Sequence, residues 1–269
     1  DMLTPVSGKE SLYKTYMKKM TLSSSPYIYR NLGLSYIAPD SETLSKMIDV
    51  CKNFKLNYNI VDPFDSNSIG LNPFVYDDIN KISLTISTVL KELYVHNYTE
   101  KSEAIQTFRE DSAMQAIEHL TILLKEVYPE MNDGALPTLE DMLKLLSNFD
   151  LVEKMCKIFE TDEELAEKYA VTLGYLKRNF YKGAPNRNDT ENHVSYLVTQ
   201  LDNLLRLPGV KSIICNRTKN INFDEMLSKS QITFVCTRRG DLGERSHRVF
   251  GLFFLLSMQN AVLRRPGDE

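Results

Sequence analysis

The sequence predicts an α/β protein whose parallel sheet is interrupted by an all-α insertion. Three observations carry this expectation: two short β-type runs before residue 70, a third after residue 230, and a long middle stretch, Asp77 to about Leu207, with helical spacing of apolar residues and no strand signal. At 269 residues the chain suits one large domain or two modest ones. It is 42% hydrophobic and 25% charged, so it can bury a sizeable core, and 11 Gly and 10 Pro are too few for a fibrous or linker protein.

Leu12 to Met20 places apolar residues at helical spacing with lysines on the other face. Leu32 to Ala38 reads as a strand closed by Pro39-Asp40-Ser41, with Ser41 the expected N-cap of a helix whose stripe is Leu44, Met47, Ile48 and Cys51. A second strand, Tyr58 to Val61, ends at Asp62-Pro63. Helix, strand, helix and strand in that order imply a parallel sheet with right-handed crossovers.

In the middle, helices are expected over Asp77–Leu93, Glu103–Tyr128, Thr138–Leu146, Leu151–Phe159, Asp162–Tyr181 and Thr190–Leu207. Thr138 with Asp141 three residues on is a capping box, and Thr161 precedes Asp162-Glu163-Glu164, acids that suit the positive end of a helix. Pro208-Gly209 is read as the stop of the last helix. Gln231 to Thr237 then has the β-branched, charge-poor character of a central parallel strand. Arg238 to His247 reads as a polar loop, and Val249 to Leu263 as a helix apolar nearly all round, buried against the sheet.

Net charge is -4, but it is unevenly spread: residues 1–70 carry +1, residues 71–200 carry -9 and residues 201–269 carry +4. The acidic middle marks a segment with its own surface task and argues against a phosphate-gripping face there, which calls for clustered Lys and Arg. The four cysteines lie far apart with no C-x-x-C, which suggests neither zinc site nor disulfide framework and fits a reducing compartment. The four histidines lack metal-ligand spacing. No secretory signal is present, and the apolar run Val249–Met258 is about half of what a bilayer requires. Both ends of the chain read as cut ends.

Three places offer chemistry. Ser7-Gly8-Lys9-Glu10-Ser11 matches the tail of a phosphate loop, in which backbone N–H groups and a lysine hold nucleotide phosphates. Leu3 stands where the first glycine belongs and Glu10 where the magnesium-binding hydroxyl belongs, and the alternative is a surface loop and cap. Asp40 and Asp62 sit at the carboxyl ends of expected parallel strands, where open sheets bind ligands, although Asp beside Pro also caps turns. Arg238, Arg239 and Arg245 concentrate cations at the same edge, either to stabilise a transferring phosphoryl group or as a solvated loop. No G-x-S-x-G elbow supports a serine hydrolase.

Taken in order, Leu34 to Asp40, Asn59 to Phe74 with its Gly70-Leu71-Asn72-Pro73-Phe74, Leu204 to Gly209, Ile221 to Leu227 and Ile232 to Gly243 resemble the coupling proteins of conjugative type IV secretion, the TraG-like DNA-transfer ATPases. The resemblance spans nearly the whole chain. It implies a RecA-like P-loop NTPase parallel sheet carrying an inserted all-α domain, with residues 1–76 and 208–269 forming the nucleotide-binding part and 77–207 the insertion. It further implies ATP and Mg as cofactors, with Gly8, Lys9, Ser11 and Asp40 on the nucleotide and Arg238, Arg239 or Arg245 as a cation acting across a subunit interface.

The implied partners are a relaxase or other secretion substrate, accessory conjugation proteins and DNA, served by a homo-hexamer at the cytoplasmic face of the bacterial inner membrane. Membrane contact would come only from a segment ahead of this chain. The acidic Walker B strand would follow Arg265, so the chain by itself is expected to be inactive as an ATPase. Two other readings stay open at this stage: a channel-assembly ATPase of the same secretion system, and a non-catalytic interaction module with a degenerate phosphate loop.

Overall fold

A computed structural model describes residues 33–95 and 103–264. The helix expected at Leu12–Met20 lies outside them, as do Gly8, Lys9 and Ser11.

Among the described residues one sheet forms, from β1 (Leu34–Ala38), β2 (Tyr58–Val61) and β3 (Ile232–Cys236). Its order is β1-β3-β2 and both pairings are parallel. The latest strand in sequence is therefore central, and it is buried along its whole length, which explains why it is the most uniformly apolar of the three. Helix α1 (Ser41–Asn53) covers one face: Leu44, Met47 and Cys51 bury against Ala38, Ile232, Phe234 and Cys236. The cap of α1 is Asp40 rather than Ser41. Its carboxylate accepts from the Thr43 backbone N–H at 2.7 Å and from the Thr43 hydroxyl at 3.1 Å, which satisfies an otherwise orphan donor of the first turn.

The rest of the described chain is helical: α2 (Ile79–Val95), α3 (Glu103–Met131), α4 (Leu139–Ser147), α5 (Phe149–Phe159), α6 (Glu163–Lys168), α7 (Ala170–Asn179), α8 (Arg187–Leu205), α9 (Pro208–Ile214), α10 (Phe223–Ser228) and α11 (Arg239–Leu263). The long α3 is the axis of this part. Ala116, Ile117, Leu120, Leu123, Leu124 and Val127 are all at most 1% exposed on it, and α2, α4, α5, α7 and α8 pack around it. Each of the Ile, Leu and Val side chains contributes about 1.5–3 kcal/mol by leaving water.

This architecture corrects the predicted fold class. The described residues build a predominantly helical structure with a small three-stranded parallel sheet, and a RecA-like P-loop NTPase sheet with an inserted all-α domain is not what they form. The physical reason is where the apolar surface goes. Val61 and Val235 of the sheet share one contiguous buried cluster with the helices, and α11 packs on α2 as well as over the strands. Three strands of four or five residues offer too little sheet to be the main layer.

Four local expectations also change. The expected single helix over 162–181 is two, α6 and α7, joined at Tyr169. The helix before Pro208 does stop, at Leu205, but Pro208 then starts α9, at the first helical position where its missing N–H is harmless. Arg238–His247 is not a loop: the first turns of α11 run from Arg239 and kink at Gly243, whose φ of 74° leaves the helical region. Beyond the kink, Phe250, Phe253 and Phe254 are buried, yet Leu255 and Val262 are 42% and 48% exposed, so the helix is not buried all round.

The Gly70-Leu71-Asn72-Pro73-Phe74 segment turns out to be a structural clasp. Gly70 forms a parallel bridge with Asn220, and a Cβ there would lie 2.3 Å from both Asn216 Cβ and Asn220 Oδ1. Asn72, 1% exposed, donates through Nδ2 to the carbonyls of Pro137 (2.8 Å) and Asn216 (3.0 Å) and accepts from the Phe74 N–H (3.1 Å). One buried amide thus ties three loops around the entry to α2, with every polar atom satisfied.

Candidate functional site

The carboxyl ends of the three strands meet at one edge because Ala38 pairs with Cys236 and Val61 with Val235. β3 is central, so the residues after it reach both neighbours. On the β1 side, Thr237 N–H donates to Ala38 O (2.8 Å) and Arg239 N–H to Pro39 O (2.9 Å). On the β2 side, Arg238 forms a bidentate pair with Asp62, Nε to Oδ1 and Nη2 to Oδ2, both 2.9 Å. The left-handed backbone of Arg238, φ 49° and ψ 50°, turns its side chain back across the edge.

Asp62 is 4% exposed and its Oδ1 also accepts from the Phe64 N–H at 3.0 Å. The Phe64 ring lies over the Arg238 guanidinium at 5.5 Å. Hydrogen bonding to Asp62 raises the Arg238 pKa above its ordinary value, so the cation is secured but engaged.

Arg239 is free of the strands and 62% exposed, and its Nε lies 2.8 Å from Glu244. The same carboxylate takes Arg248 Nη2 at 3.0 Å and stands 3.5 Å from His247 Nε2. Desolvation pushes the Glu244 carboxyl up, and the pull of Arg239 and Arg248 outweighs it to bring the pKa below its ordinary value. His247 Nε2 is itself buried, and its distance to Glu244 is too long to satisfy it as a hydrogen bond. The Arg245 backbone lies in α11, two residues past the Gly243 kink.

Of the sequence-predicted residues, Arg238, Arg239 and Asp40 share the edge, but they are not equivalent. Arg238 is locked to Asp62, Asp40 has both carboxylate oxygens engaged with Thr43, and Arg239 faces solvent. Gly8, Lys9 and Ser11 are outside the described residues. Glu244, which organises the exposed cations, escaped sequence reasoning, although its i, i+4 spacing to Arg248 was visible.

Among the described residues no group of three His, Cys, Asp or Glu is arranged to hold a metal ion. No described helix is long and apolar enough to cross a membrane. Two open depressions lie away from the sheet edge, on the helical part: one between α3, α7 and α8, the other between α2 and α3. No protein-family model matches the chain, and no curated protein matches it at a significant level.

Proposed function

We propose that the chain is part of a coupling ATPase of conjugative type IV secretion, which recruits a relaxase–DNA or protein substrate and powers its transfer. The reading rests on the order of motifs along the sequence. The observation that best supports it is the joining of Asp62, Arg238 and Arg239 at the carboxyl edge of parallel strands, the edge at which such sheets take ligands. In this reading Arg239 is the accessible cation for a phosphoryl group bound by a neighbouring subunit. Arg238 secures the strand end ahead of α11, whose first turn presents Arg239, and Arg245 follows on α11 beyond the Gly243 kink.

ATP and Mg belong to Gly8, Lys9 and Ser11, outside the described residues. The helical part, which carries the acidic middle of the sequence, recruits the substrate, in a ring of subunits at the cytoplasmic face of the inner membrane.

The test is thermal unfolding with a non-hydrolysable ATP analogue and magnesium. At a hundredfold excess over Kd, binding adds about 2.7 kcal/mol, a rise in Tm of about 5–10 °C for a chain of this size. Lys9→Ala should abolish the rise. An unchanged Tm for the unsubstituted protein, with analogue at millimolar concentration, overturns the nucleotide-driven reading.

A further inference from the structure

The depressions on the helical part, of about 750 Å³ and 630 Å³, meet on the exposed side of α3, because Ser112 and Gln115 line both. Together they make one trough that crosses from the groove between α2 and α3 to the start of α8. Its walls join apolar surface from Leu84, Met114 and Tyr175 to a series of amides and hydroxyls.

Two features show that the trough is built rather than incidental. At one end its floor consists of Asn179 and Thr190, only 9% and 6% exposed. Thr190 Oγ1 donates to Asn179 Oδ1 at 3.2 Å, and Asn179 Nδ2 donates to the Tyr175 carbonyl at 2.8 Å, which holds the amide in one orientation. At the other end Ser83, 8% exposed, has its hydroxyl buried without a hydrogen-bond partner among the described residues. Leaving such a group unsatisfied costs about 1–3 kcal/mol, which a turn of the Ser83 side chain toward an incoming donor or acceptor in the trough would recover.

Charge narrows the ligand. Among the described residues, Asp111, Glu118 and Asp189 line the trough against a single cation, Arg178. That sign repels phosphate backbones and favours lysine- or arginine-bearing partners. An extended polypeptide also presents alternating N–H and C=O groups, which side-chain amides and hydroxyls can match in either sense.

We infer that this trough binds an extended, basic polypeptide segment of a protein partner. The inference rests on the functional reading above and names the chemistry of the partner that the helical part recruits.

The test is fluorescence anisotropy with a labelled ten-residue peptide alternating Lys with Ser and Gln, a version with Glu for Lys, and a labelled single-stranded oligonucleotide. The basic peptide should bind and the other two should not. Gln115→Arg, at the exposed junction of the two depressions, and Asp189→Asn should each weaken binding about tenfold or more. Glu167→Gln, an exposed acid that lines neither depression, should leave the affinity unchanged.

Absence of basic-peptide binding, equal binding of the acidic peptide, binding of the oligonucleotide instead, insensitivity to Gln115→Arg, or an equal loss with Glu167→Gln each overturns the proposal. Because nucleotide is left out of the assay, the two readings fail separately. Lost peptide binding with an intact nucleotide effect on Tm refutes the trough alone, and the converse refutes the motor alone.

Discussion

Arg238 and Asp62 form a bidentate ion pair that bridges the ends of β3 and β2, across 176 positions of sequence, with both contacts at 2.9 Å. The pair is asymmetric in burial: the Asp62 side chain is 5% exposed and that of Arg238 is 21%. Arg238→Ala strands a buried carboxylate without a counter-charge and should cost about 3 kcal/mol. Asp62→Ala leaves an arginine able to turn toward water and should cost about 1.5 kcal/mol. Urea unfolding of the two variants checks the order, and equal costs would show that the pair does not hold the edge as described.

His119 should make stability depend on acid. Its ring stacks on Tyr175 with centroids 4.1 Å apart and its Nδ1 lies 3.1 Å from Thr172 Oγ1. Burial pushes its pKa down from 6.5 to about 4. Between those values the unfolded chain holds a proton that the folded chain refuses, so stability is fully present above 6.5 and declines as the pH falls toward 4. The loss is up to about 3 kcal/mol. His119→Gln should flatten the curve of unfolding free energy against pH across that window, and an unaltered slope would refute the assignment.

Two glycines should respond in opposite directions. Gly70→Ala inserts a Cβ into contact with Asn216 and Asn220 at 2.3 Å and should destabilise by about 1–3 kcal/mol through overpacking. Gly174 lies inside α7 with nothing within 4 Å of an added Cβ, so Gly174→Ala should stabilise by about 0.5–1 kcal/mol. Differential scanning calorimetry of both variants separates the steric effect from the general effect of helix propensity.

Asn72→Ala removes the buried amide that serves the Pro137 and Asn216 carbonyls and the Phe74 N–H. The Pro137 carbonyl and the Phe74 N–H lose this partner, at about 1–3 kcal/mol, while the Asn216 carbonyl keeps its bond from Asn220 Nδ2 at 2.9 Å, so the coupling between the entry to α2 and the 216–220 loop is weakened. Hydrogen exchange should therefore speed up at the Gly70 and Ile221 amides, which bond to Lys219 O and Gly70 O across that clasp. Unchanged protection there would show the clasp to be held by Gly70 alone.

The sequence by itself determined the local elements wherever one face of one element tells its burial. The α1 stripe of Leu44, Met47 and Cys51, the bounds of β2 and the reach-back of Asp141 to the Thr138 N–H at 3.0 Å all follow from spacing within a few residues. It also marked Asp62 and Arg238 as strand-end residues. Pairing them required the closure of β2 and β3 into one sheet with β1 on the far side, which no local period encodes.

Tertiary structure alone decided the balance between sheet and helices, because that depends on which buried surfaces meet. Val61 and Val235 face the helices, and those helices bury far more apolar surface on one another than on three short strands. It likewise decided that Asp40 caps a helix, that Arg238 is engaged and Arg239 exposed, and that residues of α2, α3, α7 and α8 line one acidic trough. Each of these depends on long-range contacts whose geometry is set only once the loops have closed, and loop closure is governed by the whole chain rather than by any window of it.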